Sequence, residues 1–444
     1  MTVTRRSFIG SAAALALSEA FAAPSNASAN ASAKLFAPNG GRAADFLLCR
    51  RLYLDLCGRI PTREEVESYV AARGAKKQEA LVDRLLASDD YADYWSMRYC
   101  DFLRVKSEFP INLWPNAVYV YHHRIRDAIK NDEPWNEFAR ALLYGRGSDF
   151  RVPESNFLRA TARKTPEGLS EAVSTSLLFE PTEKYARYFS RVRWKKTREW
   201  KEEIVYLDEG PADATPEAFM EQLEGPLAPQ FFATPLHRVH WWIYGGKASN
   251  TTVNRWMTPF RAGGWRLKPL LKHVVMHPDY RRGPGKGGFP ARRLDAEVLD
   301  DAICSLTGMK RSFASIAPEP FSFLPPTRKS VLVEDGSISS AFLLLFGRPA
   351  RDSGLMEERD NKISAKQRLY LYNSSRLWRA LGNMVTEKGF ASLPHQDQIA
   401  DLYLRFLARP PVKDELFLLD KKNHINARDV AWYLLNSREF LYRI

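Results

Sequence analysis

The sequence predicts a mainly α fold, multi-helical, with repeated helical hairpins and at most a small β element near residues 203–208. Three observations lead there. A helix-turn-helix motif occurs twice in gapless register, a second helix-end signature occurs three times, and only Ile204-Val205-Tyr206-Leu207-Asp208 has strand-like composition.

In chain order, Thr4-Arg5-Arg6-Ser7-Phe8-Ile9 and the small apolar run Gly10 to Leu17 have the form of a twin-arginine export signal, with Ala20-Phe21-Ala22 as its cleavage site. The apolar run is too short to span a bilayer, and no cysteine precedes Cys49, so no stable membrane anchor is expected. Residues 1–22 are read as the signal and 23–33, which lack any large apolar side chain, as a disordered tether. The expected location is periplasmic or extracellular.

The hairpin motif runs from Tyr53 to Glu65 and again from Tyr403 to Glu415. Each copy has an apolar helix, a break at Gly58 or Ala408, an arginine, a proline, and acids that open the next helix. Gly58 suits a left-handed helix end, and Thr62 with Glu65 predicts a capping box. Phe342 to Asp352 reads as a fainter third copy, turning at Phe346-Gly347-Arg348-Pro349. The second signature, an apolar helix ending in a polar pair and an aromatic, spans Leu85–Tyr91, Val274–Tyr280 and Leu434–Phe440. A division in the polar stretch Asp208 to Pro229 gives an N-terminal helical domain, 34–208, and a C-terminal one, 230–444.

Formal net charge is +13 with both signs spread along the chain, an excess and not a basic tail. With export expected, nucleic acid is set aside in favour of an anionic glycan, an acidic envelope polymer or an acidic partner protein. The densest basic stretches are Arg191 to Lys201, which interleaves Trp194 and Trp200, and the glycine-rich Arg281 to Arg293. Four cysteines are too few for a disulfide scaffold; Cys49 and Cys57 lie too far apart on one helix to pair, while Cys57 with Cys100 is open. No Cys-x-x-Cys-His occurs, so no covalent haem is expected, and no cofactor is predicted.

Arg50-Arg51-Leu52-Tyr53-Leu54-Asp55-Leu56, Thr197 to Val205, Arg292-Arg293-Leu294-Asp295-Ala296-Glu297, Phe346 to Arg359, Leu402 to Pro411 and Trp432 to Phe440 together resemble a known pairing. It is that of the exported planctomycete-type proteins built from two domains of unknown function, fifteen-forty-nine and fifteen-fifty-three, the PSCyt and PSD domains. The resemblance covers nearly the whole expected mature chain. It implies no established activity, and many members carry the haem motif missing here. It implies an exported sulfatase-like protein as a partner.

Candidate sites are few. His273 and His277, four apart, and His237 and His240, three apart, are candidate metal ligands if helical, although the glutamate of a His-Glu-x-x-His helix is lacking. Glu199, Glu202 and Glu203 around Trp200 have the residue types of glycoside hydrolysis, but ion pairing with Lys195, Lys196, Arg198 and Lys201 is the simpler expectation. Trp241 and Trp242, with Lys286, Arg292 and Arg293, are candidates for binding a sugar or acidic ligand. No serine-nucleophile elbow, dinucleotide fingerprint or phosphate loop is complete. The function expected is therefore an envelope accessory or binding protein without catalysis, for a partner protein or anionic polysaccharide. The alternative is a hydrolase or metal-dependent enzyme acting on acidic or sulfated glycans.

Overall fold

The computed structural model describes residues 44–284, 287–317, 322–421 and 425–444. The expected export signal and tether, and Lys286, lie outside them. Helices dominate: α1 (Asp45–Cys57), α2 (Arg63–Ala71), α3 (Lys77–Leu86), α4 (Asp89–Phe102), α5 (Pro115–Lys130), α6 (Trp135–Tyr144) and α7 (Pro166–Leu178) come first. After them come α8 (Pro216–Glu224), α9 (Ala228–Tyr244), α10 (Asn250–Ala262), α11 (Leu267–Met276), α12 (Ala296–Thr307) and α13 (Ala341–Leu345). The last are α14 (Ala365–Asn373), α15 (Ser375–Thr386), α16 (Lys388–Ala391), α17 (His395–Leu407), α18 (Lys413–Lys421), α19 (Ala427–Asn436) and α20 (Arg438–Leu441). Among the described residues, none is long and apolar enough to cross a membrane.

The expected strand is present as β3 (Glu203–Leu207), and it is the centre of a sheet. β1 (Gly147–Ser148) pairs on one side and β2 (Val192–Lys196) on the other, both antiparallel. Register Val192↔Leu207 and Trp194↔Val205 turns the apolar side chains inward. A second pair, β4 (Arg292–Arg293) with β5 (Tyr442–Arg443), joins distant parts of the chain.

Both copies of the hairpin fold as the sequence requires. Thr62 accepts the backbone N–H of Glu65 while the Glu65 carboxylate accepts that of Thr62, satisfying two donors that a helix start leaves open. α1 ends at Gly58 and α17 at Ala408, with φ of 61° and 60°. Arg59 then bonds Glu65 at 2.8 and 2.7 Å and Asp90 at 2.6 Å. Arg409 does the same to Glu415 and Glu439. Ser88 and Ser437 cap the following helices at matching places.

The third copy departs from this pattern. α13 is only five residues long, and after Arg348 the chain forms a short 3-10 turn at Met356–Glu358 instead of a second helix. The reason is Arg348 itself, which is buried and turns inward to the carbonyls of Ile338, Val333 and Asp335 and to Glu297. Its acid is thus on the earlier helix α12, and not on a following one as for Arg59 and Arg409.

One apolar core runs through α1 to α7 and on into α9, α12, α15, α17 and α19. The stretch 208–229 carries α8, whose Phe219, Met220 and Leu223 are buried in that core. Polar staples cross it. Arg50 donates to the carbonyls of Phe440 and Tyr442, and Arg51 to that of Ile444. Asp55 receives Arg443 at 2.5 Å and the Tyr280 hydroxyl at 2.8 Å. The first helix and the last strand are thereby fixed to each other. All four cysteines are buried and unpaired, and burial pushes each thiol up to about 12.

Candidate functional site

β2 and β3 form a hairpin whose tip, residues 197–202, stands beside the start of α5. Lys201 takes a left-handed φ of 66°, and the Thr197 N–H donates to the Glu202 carbonyl to close the turn. This exposes Trp200, which is 62% accessible and meets the Trp114 ring edge-on at 4.7 Å. Lys201 lies over both rings.

The three glutamates do pair, but not with the lysines beside them in sequence. Glu199 bonds Arg151, and Glu202 is buried against Ser148 and Thr197, whose hydroxyls hold its carboxyl below the usual range. Burial pushes Glu203 up, but Lys164 at 2.6 Å and Arg159 at 2.9 Å outweigh it and hold it low. Because Arg151, Arg159 and Lys164 take up these acids, Lys195, Lys196, Arg198 and Lys201 keep no ion pair among the described residues. The result is an uncompensated basic surface beside an exposed indole.

The four predicted metal histidines are not gathered. Among the described residues, no group of three potential ligands includes any of them. His240 Nδ1 donates to the Gly246 carbonyl at 2.9 Å, and His237 packs against Phe179. His277 Nδ1 accepts the Asp279 N–H and caps the 3-10 turn at Pro278–Arg281, while its ring centroid is 6.4 Å from that of His273. Burial lowers His237 to about 4, with Lys247, His240 and Arg238 adding to the effect.

The predicted ligand-binding residues come closer together. Trp241, Trp242 and Arg292 line one small pocket with Asp101 and Arg359. Yet Arg292 is already committed to the carbonyls of Trp241 and Trp242, and Trp242 is a core residue. Arg293 is buried and spends its donors on the carbonyls of Phe346, Asp360, Asn361 and Leu294. Arg293 thus holds the chain together and offers no clamp to a ligand, because a buried guanidinium must satisfy its donors within the fold, whereas the half-buried Arg292 gives the chain only Nη1.

One constellation escaped sequence reasoning. His122 and His123 on α5 and Glu334, after the turn Ser330–Leu332, place one ligand atom each within 4.8 Å of one another. Burial drives His122 down to about 3, helped by His123 and by Arg351, Arg328 and Arg126, so its imidazole is neutral. Two adjacent histidines lack the helical spacing of a metal pair, and nothing in sequence ties them to Glu334.

Two family models match the chain: PSCyt2, a protein of unknown function (DUF1549), over residues 29–195, and PSD1, a protein of unknown function (DUF1553), over 253–422. No curated protein and no solved structure matches.

Proposed function

The chain belongs to the family that pairs the PSCyt2 and PSD1 domains, and within it we propose a binding role without catalysis, for an exported envelope protein that takes an anionic polysaccharide on its basic hairpin. The observation that carries this reading is the pairing of Glu199, Glu202 and Glu203 with Arg151, Arg159 and Lys164, which leaves Lys195, Lys196, Arg198 and Lys201 without an ion pair among the described residues, beside the exposed Trp200. Closely set cations attract a polyanion, and an exposed indole offers a face on which a sugar ring stacks. The residue 5–6 arginine pair supports export, which would put the hairpin where envelope polysaccharides are met.

The test is retention of the purified chain on immobilised heparin and polygalacturonate, followed over rising salt. Saturable, salt-sensitive binding that falls at least about tenfold when Lys195, Lys196 and Arg198 are all changed to Ser supports the reading, because about 1.4 kcal/mol lost over three contacts has that effect. Equal weakening with Trp200→Ala, at unchanged salt dependence, marks the stacking contribution. Binding to polyglutamate but to neither glycan assigns the face to an acidic protein partner instead. Location is checked by changing Arg5 and Arg6 to Lys, which should keep the chain in the cytoplasm.

A further inference from the structure

We propose that His122, His123 and Glu334 form a binding site for a zinc-class divalent cation. His122 is only 5% exposed, and its Nδ1 is buried without a hydrogen-bond partner. A buried imidazole nitrogen left unpaired is costly, and a coordinated cation would satisfy it. The neighbouring ring is prepared in a complementary way. His123 Nδ1 lies 2.8 Å from the Tyr119 carbonyl, which can only accept, so the proton sits on Nδ1 and the lone pair on Nε2 is left for a ligand. The two rings are nearly perpendicular, at 78°, with centroids 5.6 Å apart. Adjacent helical residues diverge by about 100°, so they flank a common point instead of sharing a stripe.

Glu334 closes the third side. Its Oε1 accepts Arg328 Nη2 at 2.8 Å, and among the described residues no hydrogen bond is made to Oε2. The backbone around it is pinned. Arg351 donates to the Glu334 carbonyl at 2.6 Å, and the next residue, Asp335, accepts the N–H groups of Ser107 and Ser337. A ligand held by such outer contacts does not have to be ordered when the ion arrives. Two imidazoles and one carboxylate are a donor set of zinc sites that keep an open fourth place for water, whereas magnesium and calcium take all-oxygen sets. The positive charges of Arg328 and Arg351 work against a cation and limit its affinity, but Arg328 is already neutralised in part by Glu334.

Zinc chloride is titrated calorimetrically into the full chain after chelator treatment, with each variant's metal-free melting temperature recorded. One ion per chain is expected, with His123→Gln and Glu334→Gln each weakening it by more than about tenfold at unchanged metal-free melting temperature. A variant carrying both His273→Gln and His277→Gln should bind as the parent does. Cobalt should give the visible bands of a four-coordinate site in the parent and lose them in E334Q. Absence of saturable binding overturns the assignment, as does one-to-one binding that survives H123Q and E334Q or that the H273Q/H277Q variant loses. The salt-dependent retention on glycan columns is a separate readout, so each reading can fail alone.

Discussion

Arg409 grips Glu415 through both terminal nitrogens, at 2.8 and 2.9 Å, in the geometry by which Arg59 holds Glu65 at the other end of the chain. Each arginine sits six residues before its acid, lies over a tyrosine six residues back, and reaches a second acid at the start of a later helix. The repeat is therefore a unit of structure: one guanidinium ties two helix starts to the end of a third.

The two copies differ in burial, and stability should follow. The Arg409 side chain is 10% exposed and that of Arg59 is 29% exposed. Removing a buried partner strands the acids it served, at about 3–5 kcal/mol, whereas a solvated pair contributes about 1 kcal/mol or less. Arg409→Met should lower the urea midpoint far more than Arg59→Met. Equal losses would mean that the clamp matters less than the packing of the arginine stem.

The helix stop tests backbone and packing separately. Gly58 and Ala408 share the left-handed conformation, yet a Cβ on Gly58 would lie 2.2 Å from the Tyr94 ring. Gly58→Ala should thus cost well above the conformational penalty of about 1 kcal/mol, because Tyr94 is buried and cannot withdraw. Ala408→Gly relieves that same penalty and should raise stability by up to about 1 kcal/mol. Thermal melting of the two variants decides it.

These hairpins were legible in sequence because their signals are local: a helix breaker, a proline and a capping box within a few residues. The second acids, Asp90 and Glu439, were visible only as part of another motif, since their bond to the arginine is made by folding. β2 went unread because Arg193, Lys195 and Lys196 have no strand preference, and it exists only through its register with β3. The same limit applies to the sites. Arg292 and Arg293 read as exposed cations because composition cannot show that backbone carbonyls will absorb them, and His122 with Glu334 becomes a pair only in three dimensions.

His237 should leave a mark on the pH profile. Burial lowers its folded pKa to about 4, against an ordinary value of 6.5 in the unfolded chain. Below pH 6.5 the unfolded state therefore binds the proton that the folded state refuses, so stability is complete above 6.5 and falls as pH drops toward 4. The loss at pH 5 should be about 1–2 kcal/mol, discounted for partial solvent access. His237→Gln should flatten the urea midpoint between pH 7 and 5 by that amount. An unchanged slope would place the acid sensitivity elsewhere.

Arg359 joins the two matched domains through charge. It bonds Asp101 on α4 at 2.7 Å and Glu297 on α12 at 2.6 Å, while Arg351 reaches Asp101 and Arg348 reaches Glu297. Burial pushes the Glu297 carboxyl up, but Arg359 and then Arg348 outweigh it and keep it below the usual range, so it stays ionised. Arg359→Met should cost about 3–5 kcal/mol, because Glu297 would keep only the longer contact to Arg348. Adding Glu297→Met removes the stranded charge but frees Arg348, so the double variant should be less destabilised than the sum of the singles by about 1 kcal/mol or more. Strict additivity in a double-mutant cycle would show that the arginine acts through Asp101 alone. Coupling would show that the Arg359–Glu297 pair inside the PSD1 part contributes beside the Asp101 contact, which is the one that reaches the PSCyt2 part.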